Sequence, residues 1–350
     1  MKLFGRPWSR RELEARIGRI EQIGGLYRST LSEGPETGVE QIQVRTGSGL
    51  SYNVHPSRGM DIGLAEFGGA ALSWLSPVGV VHPAYFDSRG PGWLRTAAGG
   101  LLMTCGLSQV GSPCEEGEET LGLHGRAHHT AARQVAAEGR WEEDEYKMSI
   151  RGQIEEASLF GPHLRLTRNI SSTLGMNCLA IDDEVQNLGF EPAPHMLLYH
   201  FNFGFPLMTE DTEITFPSRN VSPREATTKV EELESWQAPQ AAYWERVYYH
   251  EDLETDQDGF TEVLIHNPHF PSVNLQTRGP VTVHVKWDTG SLPNLIQWKM
   301  PGMGMHVLGI EPANCHVEGR VAERNRGTLV MLAAGQTVRY HLNISIDGEV

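Results

Sequence analysis

Apolar and polar positions along this chain change period once. Near the start, Ser9 followed by Glu12 forms a capping box, and Leu13, Ile17 and Ile20 recur at helical spacing until Gly24-Gly25 ends the run. The spacing predicts one short amphipathic helix. From about Val39 onward short alternating or wholly apolar segments take over, as in Ile42 to Arg45, Ser51 to Val54, Met148 to Ile154 and Thr282 to Trp287. Gly, Pro, Asn and Asp separate them, the punctuation of antiparallel strands. The pattern predicts an all-β protein, a large antiparallel β-sandwich with a short N-terminal helix. Residues 1–25 read as an N-terminal helical extension and 26–350 as one domain, without internal repeat or linker. Ala97 to Leu107, with Gly99, Gly100 and Gly106, reads as a loop or strand edge where the backbone approaches something closely. The acidic stretches Glu115 to Glu119, Glu231 to Glu234 and Glu251 to Asp258 read as solvated loops.

Composition narrows the function classes. With 350 residues and 39% hydrophobic content the chain can bury a sizeable core, and all-β architectures of this length can remain one domain. A formal net charge of −15 argues against nucleic acid, whose phosphates demand clustered Lys and Arg. Cys105, Cys114, Cys178 and Cys315 have neither CxxC spacing nor the density of a disulfide scaffold, so reduced thiols and a cytoplasmic location are expected. No apolar core of a signal peptide follows Arg6, Arg10 and Arg11, and no run approaches the roughly 18 to 20 apolar residues of a membrane span.

Three segments carry candidate chemistry. Val307 to Ile310 reads as a short buried strand that drives Glu311 to its end before Pro312, a setting that strips solvent from a carboxylate and raises its pKa towards useful base strength. The bland alternative is a rim carboxylate paired with Arg320 or Arg324. In Leu121 to His129, glycines flank His124 so that the backbone can turn and expose the imidazole. In Met196 to Gly204, His200 sits inside an aromatic and aliphatic run, and Asn202 shares its side if the segment is a strand.

The Leu-His-Gly, Tyr-His-Phe-Asn and Gly-Ile-Glu-Pro-Ala-Asn segments, in this order, resemble those of the aldose 1-epimerase (galactose mutarotase-like) superfamily. An early Arg58-Gly59-Met60-Asp61-Ile62 element is similar to that of its less characterised branch. The resemblance covers roughly residues 20 to 345. It implies the galactose mutarotase-like supersandwich, whose concave face binds a sugar, and an isomerase that interconverts anomers by ring opening. By the same resemblance Glu311 is the base, His200 the acid, and His124 an orienting group that shares the acid role. In the better-known mutarotases the histidine lies a few residues before the Phe-Asn pair, so His195 competes with His200. His200 is preferred because Pro192-Ala193-Pro194 suggests that His195 lies at the start of a strand rather than within it.

Around these groups, Arg58 could fork onto sugar hydroxyls or an anionic group with Asp61 holding it, and Arg126 could serve an anionic substrate. Trp74, Trp93 and Trp298 are candidate stacking platforms, Trp298 foremost. Asn202, Gln297 and Asn314 are candidate hydroxyl ligands. The expected partner is a small-molecule sugar, with no nucleic acid and no membrane; a homo-oligomer stays open. No cofactor is expected: the chain lacks a dinucleotide Gly-rich fingerprint, a P-loop and a GxSxG elbow. Two rival readings remain. His124, His128, His129, His200 and Glu311 could assemble a divalent metal site, pointing to a lyase or isomerase for an oxidised sugar. Alternatively the chain binds carbohydrate without turnover.

Overall fold

A computed structural model describes residues 1–230 and 233–348. Glu231 and Glu232 of the second acidic stretch therefore lie outside the described residues. Two antiparallel sheets dominate. The smaller has eight strands, in spatial order Arg133–Glu142, Glu145–Ala157, His163–Thr173, Cys178–Asn187, Thr337–Gly348, Thr277–Asp288, Phe260–Ser272 and Glu213–Thr215. The larger runs Ser218–Pro223, Arg246–Leu253, Asn294–Gly302, Met305–Ala313, Ala193–Gly204, Leu102–Leu107, Asp61–Phe67, Leu50–His55, Glu40–Arg45 and Gly25–Thr30. The short strands Ala70–Ala71 and Val330–Leu332 attach to it, giving twelve.

Alternation on each strand builds the core between the sheets. Leu164, Leu166 and Ile170 from the smaller sheet meet Leu197, Tyr199, Phe201 and Phe203 from the larger one. The residues between those on the central strand, Met196 and Leu198, point the other way. They join Met103, Cys105, Ile296, Ala313, Cys315 and Trp93 in a second apolar cluster on the outer face of the larger sheet. Strand Ala193–Gly204 is thus covered on both faces, which explains its unbroken apolar run in the sequence.

Four expectations change in detail. The N-terminal helix is confined to Arg10–Glu14; its capping box is present, but the chain then passes into a 3-10 turn at Ile20–Gln22. Leu13 docks on Leu3 and Leu174, so tertiary packing rather than length holds this short helix. The stretch expected as a loop or edge around Ala97 to Leu107 ends in a fully buried strand, Leu102–Leu107. Glu115 to Glu119 is part of a hairpin, Cys114–Glu116 with Glu119–Leu121, whose glutamates pair with Arg320 and Arg324. Glu251 and Asp252 belong to strand Arg246–Leu253 rather than to a loop. No helix among the described residues is long and apolar enough to cross a membrane.

Candidate active site

Register puts Glu311 and His200 together. Strand Met305–Ala313 pairs with Ala193–Gly204 through Phe201↔Ile310 and Leu198↔Ala313, so His200 stands directly opposite Glu311 on the outer face. The strand continues through Pro312 to Ala313 instead of stopping at Ile310, because pairs on both sides hold it and proline removes only one ladder donor. His200 Nε2 lies 3.2 Å from Glu311 Oε1. Both side chains are buried, and burial drives each towards its uncharged form. Glu311 is pushed up to about 8 by burial and by the charge of Glu245, with Arg224 opposing. His200 is pushed down to about 4, again chiefly by burial. Neither Glu311 Oε1 nor His200 Nδ1 has a partner in good hydrogen-bond geometry, although Oε1 faces His200 Nε2 and Asn202 beside the imidazole opposes the fall of its pKa. The rim-carboxylate alternative fails, since Arg320 and Arg324 are engaged by Glu116 and Glu119.

His124 enters from a loop laid along strand Leu102–Leu107. Gly106 N donates to the His124 carbonyl and Arg126 N to the Gly106 carbonyl, at 3.1 and 2.9 Å. Gly125, at φ +71°, allows that approach: a Cβ there would come within 2.5 Å of the Gly106 carbonyl oxygen. Gly111 N donates to His124 Nδ1, which leaves the ring proton on Nε2. The His124 ring stands edge-on to His200 at 6.1 Å and against Trp93 at 4.9 Å, and burial lowers its pKa to about 3.

Trp298 forms another wall. Its ring meets His200 at 5.5 Å and Trp74 at 6.1 Å, and its Nε1 donates to Glu245 at 2.9 Å. Opposite it is Gly309, where a Cβ would come within 2.8 Å of the Trp298 Cβ and 2.7 Å of Glu311 Oε1. A side chain there would collide with both groups, so only glycine lets tryptophan and carboxyl pack this closely. Asn202, on the face of His200, donates to the carbonyls of Gly100 and His200, while its Oδ1 is unpartnered.

Other expected ligands are placed elsewhere. Arg58 donates to the carbonyls of Val81 and Thr96 and lies 2.6 Å from His128 Nε2. Asp61 accepts from Thr104 and Arg168 and lies 2.6 Å from His128 Nδ1. Both line a cavity of about 100 Å³ that Glu311 does not reach. Arg126 lines another, of about 130 Å³, with Ser108 and Glu156. Gln297 points to the opposite face of its strand, where Nε2 donates to the Leu233 carbonyl and Oε1 meets His250. Asn314 is a staple, accepting from Leu197 N at 2.7 Å and donating to the His195 carbonyl. His195 lies within strand Ala193–Gly204, and alternation turns it away from Glu311, onto Tyr340 at 2.6 Å. Face, not distance from the strand start, separates the two histidines.

The alternative metal set does not converge. Both His128 nitrogens are engaged by Asp61 and Arg58, and His129 stacks on Phe86 and meets Thr96. Among the described residues, the group of three potential ligands that does converge is His316, Glu318 and Glu323, where Arg326 already neutralises both glutamates.

Comparison with known proteins bears on the whole chain. The model of the family described as Domain of unknown function (DUF4432) matches residues 36–346. The chain belongs to this family. No curated protein matches it. Among solved structures, the chain resembles a protein from Klebsiella pneumoniae proposed to be an aldose 1-epimerase, with 24% identity over 95% of this chain and 89% of that one and a TM-score of 0.84. It also resembles a galactose mutarotase-like protein from Clostridium acetobutylicum, at 11% identity, 93% and 99% coverage and TM-score 0.60. Galactose 1-epimerase from Lactobacillus acidophilus shares 11% identity, with 93% and 99% coverage and TM-score 0.55. At these identities the likeness establishes the galactose mutarotase-like fold for this DUF4432 member.

Proposed function

We propose that this protein is an aldose 1-epimerase-like isomerase that interconverts the anomers of a monosaccharide or sugar derivative. The observation that carries this reading is the buried Glu311–His200 pair at 3.2 Å, where burial favours the protonated carboxyl and the neutral imidazole. Hydroxyl groups of a bound sugar would supply the hydrogen bonds that Glu311 Oε1 and His200 Nδ1 lack, and the proton could then pass from Glu311 to His200. The Glu311 carboxylate takes the proton from the anomeric hydroxyl. As the C1 carbonyl forms, the bond from C1 to the ring oxygen breaks, its electron pair goes to that oxygen, and His200 protonates it. Rotation about the C1–C2 bond and the reverse steps give the other anomer. His124, with its proton on Nε2, would hydrogen-bond the ring oxygen or a neighbouring hydroxyl.

Exchange NMR between the anomers of a panel of neutral, acidic, sulfonated and phosphorylated monosaccharides tests this. The protein should accelerate exchange of at least one sugar, and Glu311→Gln should reduce that rate by roughly 10² to 10⁴, the usual contribution of a positioned base. His200→Asn should do nearly the same and His195→Asn much less. A folded protein that leaves every sugar at its spontaneous rate would refute the proposal.

A further inference from the structure

Two charged residues outside the expected set stand beside the pair. Arg224 directly follows strand Ser218–Pro223, and Glu245 directly precedes strand Arg246–Leu253, so the ends of neighbouring strands bring them together. Arg224 Nη2 lies 3.0 Å from Glu245 Oε1, and the other Glu245 oxygen accepts the indole N–H of Trp298 at 2.9 Å. Trp298 in turn lies over Gly309, the residue whose missing side chain lets Trp298 and the Glu311 carboxyl both approach the backbone closely. A carboxylate that holds a site aromatic with one oxygen and an arginine with the other has two ways to act: by geometry and by charge.

We propose that Glu245 is a positioning residue of the Glu311 site: one of its oxygens fixes the Trp298 indole against His200, and the other is held by Arg224. This rests on the reading of Glu311 as the base. Glu311 is faced by His200 from the central strand, Cys105 from strand Leu102–Leu107, and Glu245 and Arg224 from the sheet edge, and Arg224 also pairs with its neighbour Glu225. Burial favours the neutral His200 imidazole and the protonated Cys105 thiol, so the charge near Glu311 comes from the edge group of Glu245 and Arg224, with Glu225 on the other side of Arg224. The field of Glu245 disfavours ionisation of Glu311, and that of Arg224 favours it. Both residues are partly exposed, so each acts through screening.

The test needs no substrate. Side-chain carboxyl ¹³C NMR titrations of the parent, Glu245→Gln and Arg224→Gln, with the Glu311 signal assigned by its loss in Glu311→Gln, should show two opposite displacements. The Glu311 midpoint should fall in Glu245→Gln and rise in Arg224→Gln, each by roughly half a pH unit. The Trp298 indole N–H resonance should move in Glu245→Ala yet persist near its parent position in Glu245→Gln, whose amide oxygen can still accept. A general loss of structure would displace both midpoints the same way. That result, or unmoved midpoints, or an indole signal indifferent to Glu245→Ala, would overturn the proposal. If Glu311→Gln retains anomer exchange, the epimerase reading falls while these titrations still decide the role of the pair.

Discussion

Two buried polar clusters lie on opposite faces of the larger sheet, one between the two sheets and one on the outer face, and they are built on opposite principles. In the first, Arg168 forks onto Asp183 at 3.0 and 2.7 Å, reaches Asp61 at 3.1 Å, and receives help from Thr104, His128 and the Tyr199 hydroxyl. Opposite charges meet and their strong donors and acceptors are engaged. In the second, Glu311 and His200 face each other with unpartnered atoms, and burial holds both uncharged. The contrast separates frame from site. A saturated network joins the two sheets and has nothing left to offer a ligand, whereas an unsaturated pair has hydrogen-bonding capacity in reserve. The clusters also touch through the chain. Tyr199 precedes His200, and the cross-strand pair Tyr199↔Thr104 adjoins His200↔Met103, so the frame braces the strand that carries the site from behind.

Substitutions can break this contrast from either side. Arg168→Met leaves Asp61 and Asp183 buried without their counter-charge and should cost about 3–5 kcal/mol in chemical denaturation; an unchanged midpoint would deny the frame its role. On the site side, Glu311→Gln should make stability less sensitive to pH. The folded carboxyl holds its proton up to about 8 whereas the unfolded one releases it near 4.5, so the parent is progressively destabilised as pH rises between those values. The slope reaches at most about 1.4 kcal/mol per pH unit, and a parent curve that parallels the Gln variant would contradict it. Gly309→Ala should cost roughly 1–3 kcal/mol through the clash with Trp298 and Glu311, with loss of anomer exchange measured beside it. Tyr199→Phe should cost a comparable amount, about 1.5–3 kcal/mol in chemical denaturation, for one hydrogen bond to a carboxylate whose other bonds remain.

Much of this was legible in the chain, and what was missed follows a rule. The strand punctuation announced the sandwich. Glu311, His200 and His124 stood out because glycine turns and apolar runs gave them settings unusual for polar residues. Gln297 and Asn314 misled for the same reason: a polar residue beside an aromatic or after a strand is conspicuous, but only pairing tells which face it occupies. Arg168 and Asp183 were overlooked although period two marks them, with Arg168 between Leu166 and Ile170 and Asp183 between Ile181 and Val185 on inward positions. Each reads as an isolated charge until its partner, on a neighbouring strand, is known. Arg224 and Glu245 carried no local signal, since their meeting depends on strands leaving the sheet edge together.

The pH dependence of kcat/KM for the sugar exchanged fastest, with the spontaneous rate subtracted, tests the central claim most directly. If Glu311 and His200 work as a pair sharing one proton, the profile is a bell that falls above about 8, where the pair loses that proton, and below about 4, where it gains a second. A rate that climbs steadily through pH 8, or a profile that Glu311→Gln leaves intact, would contradict it.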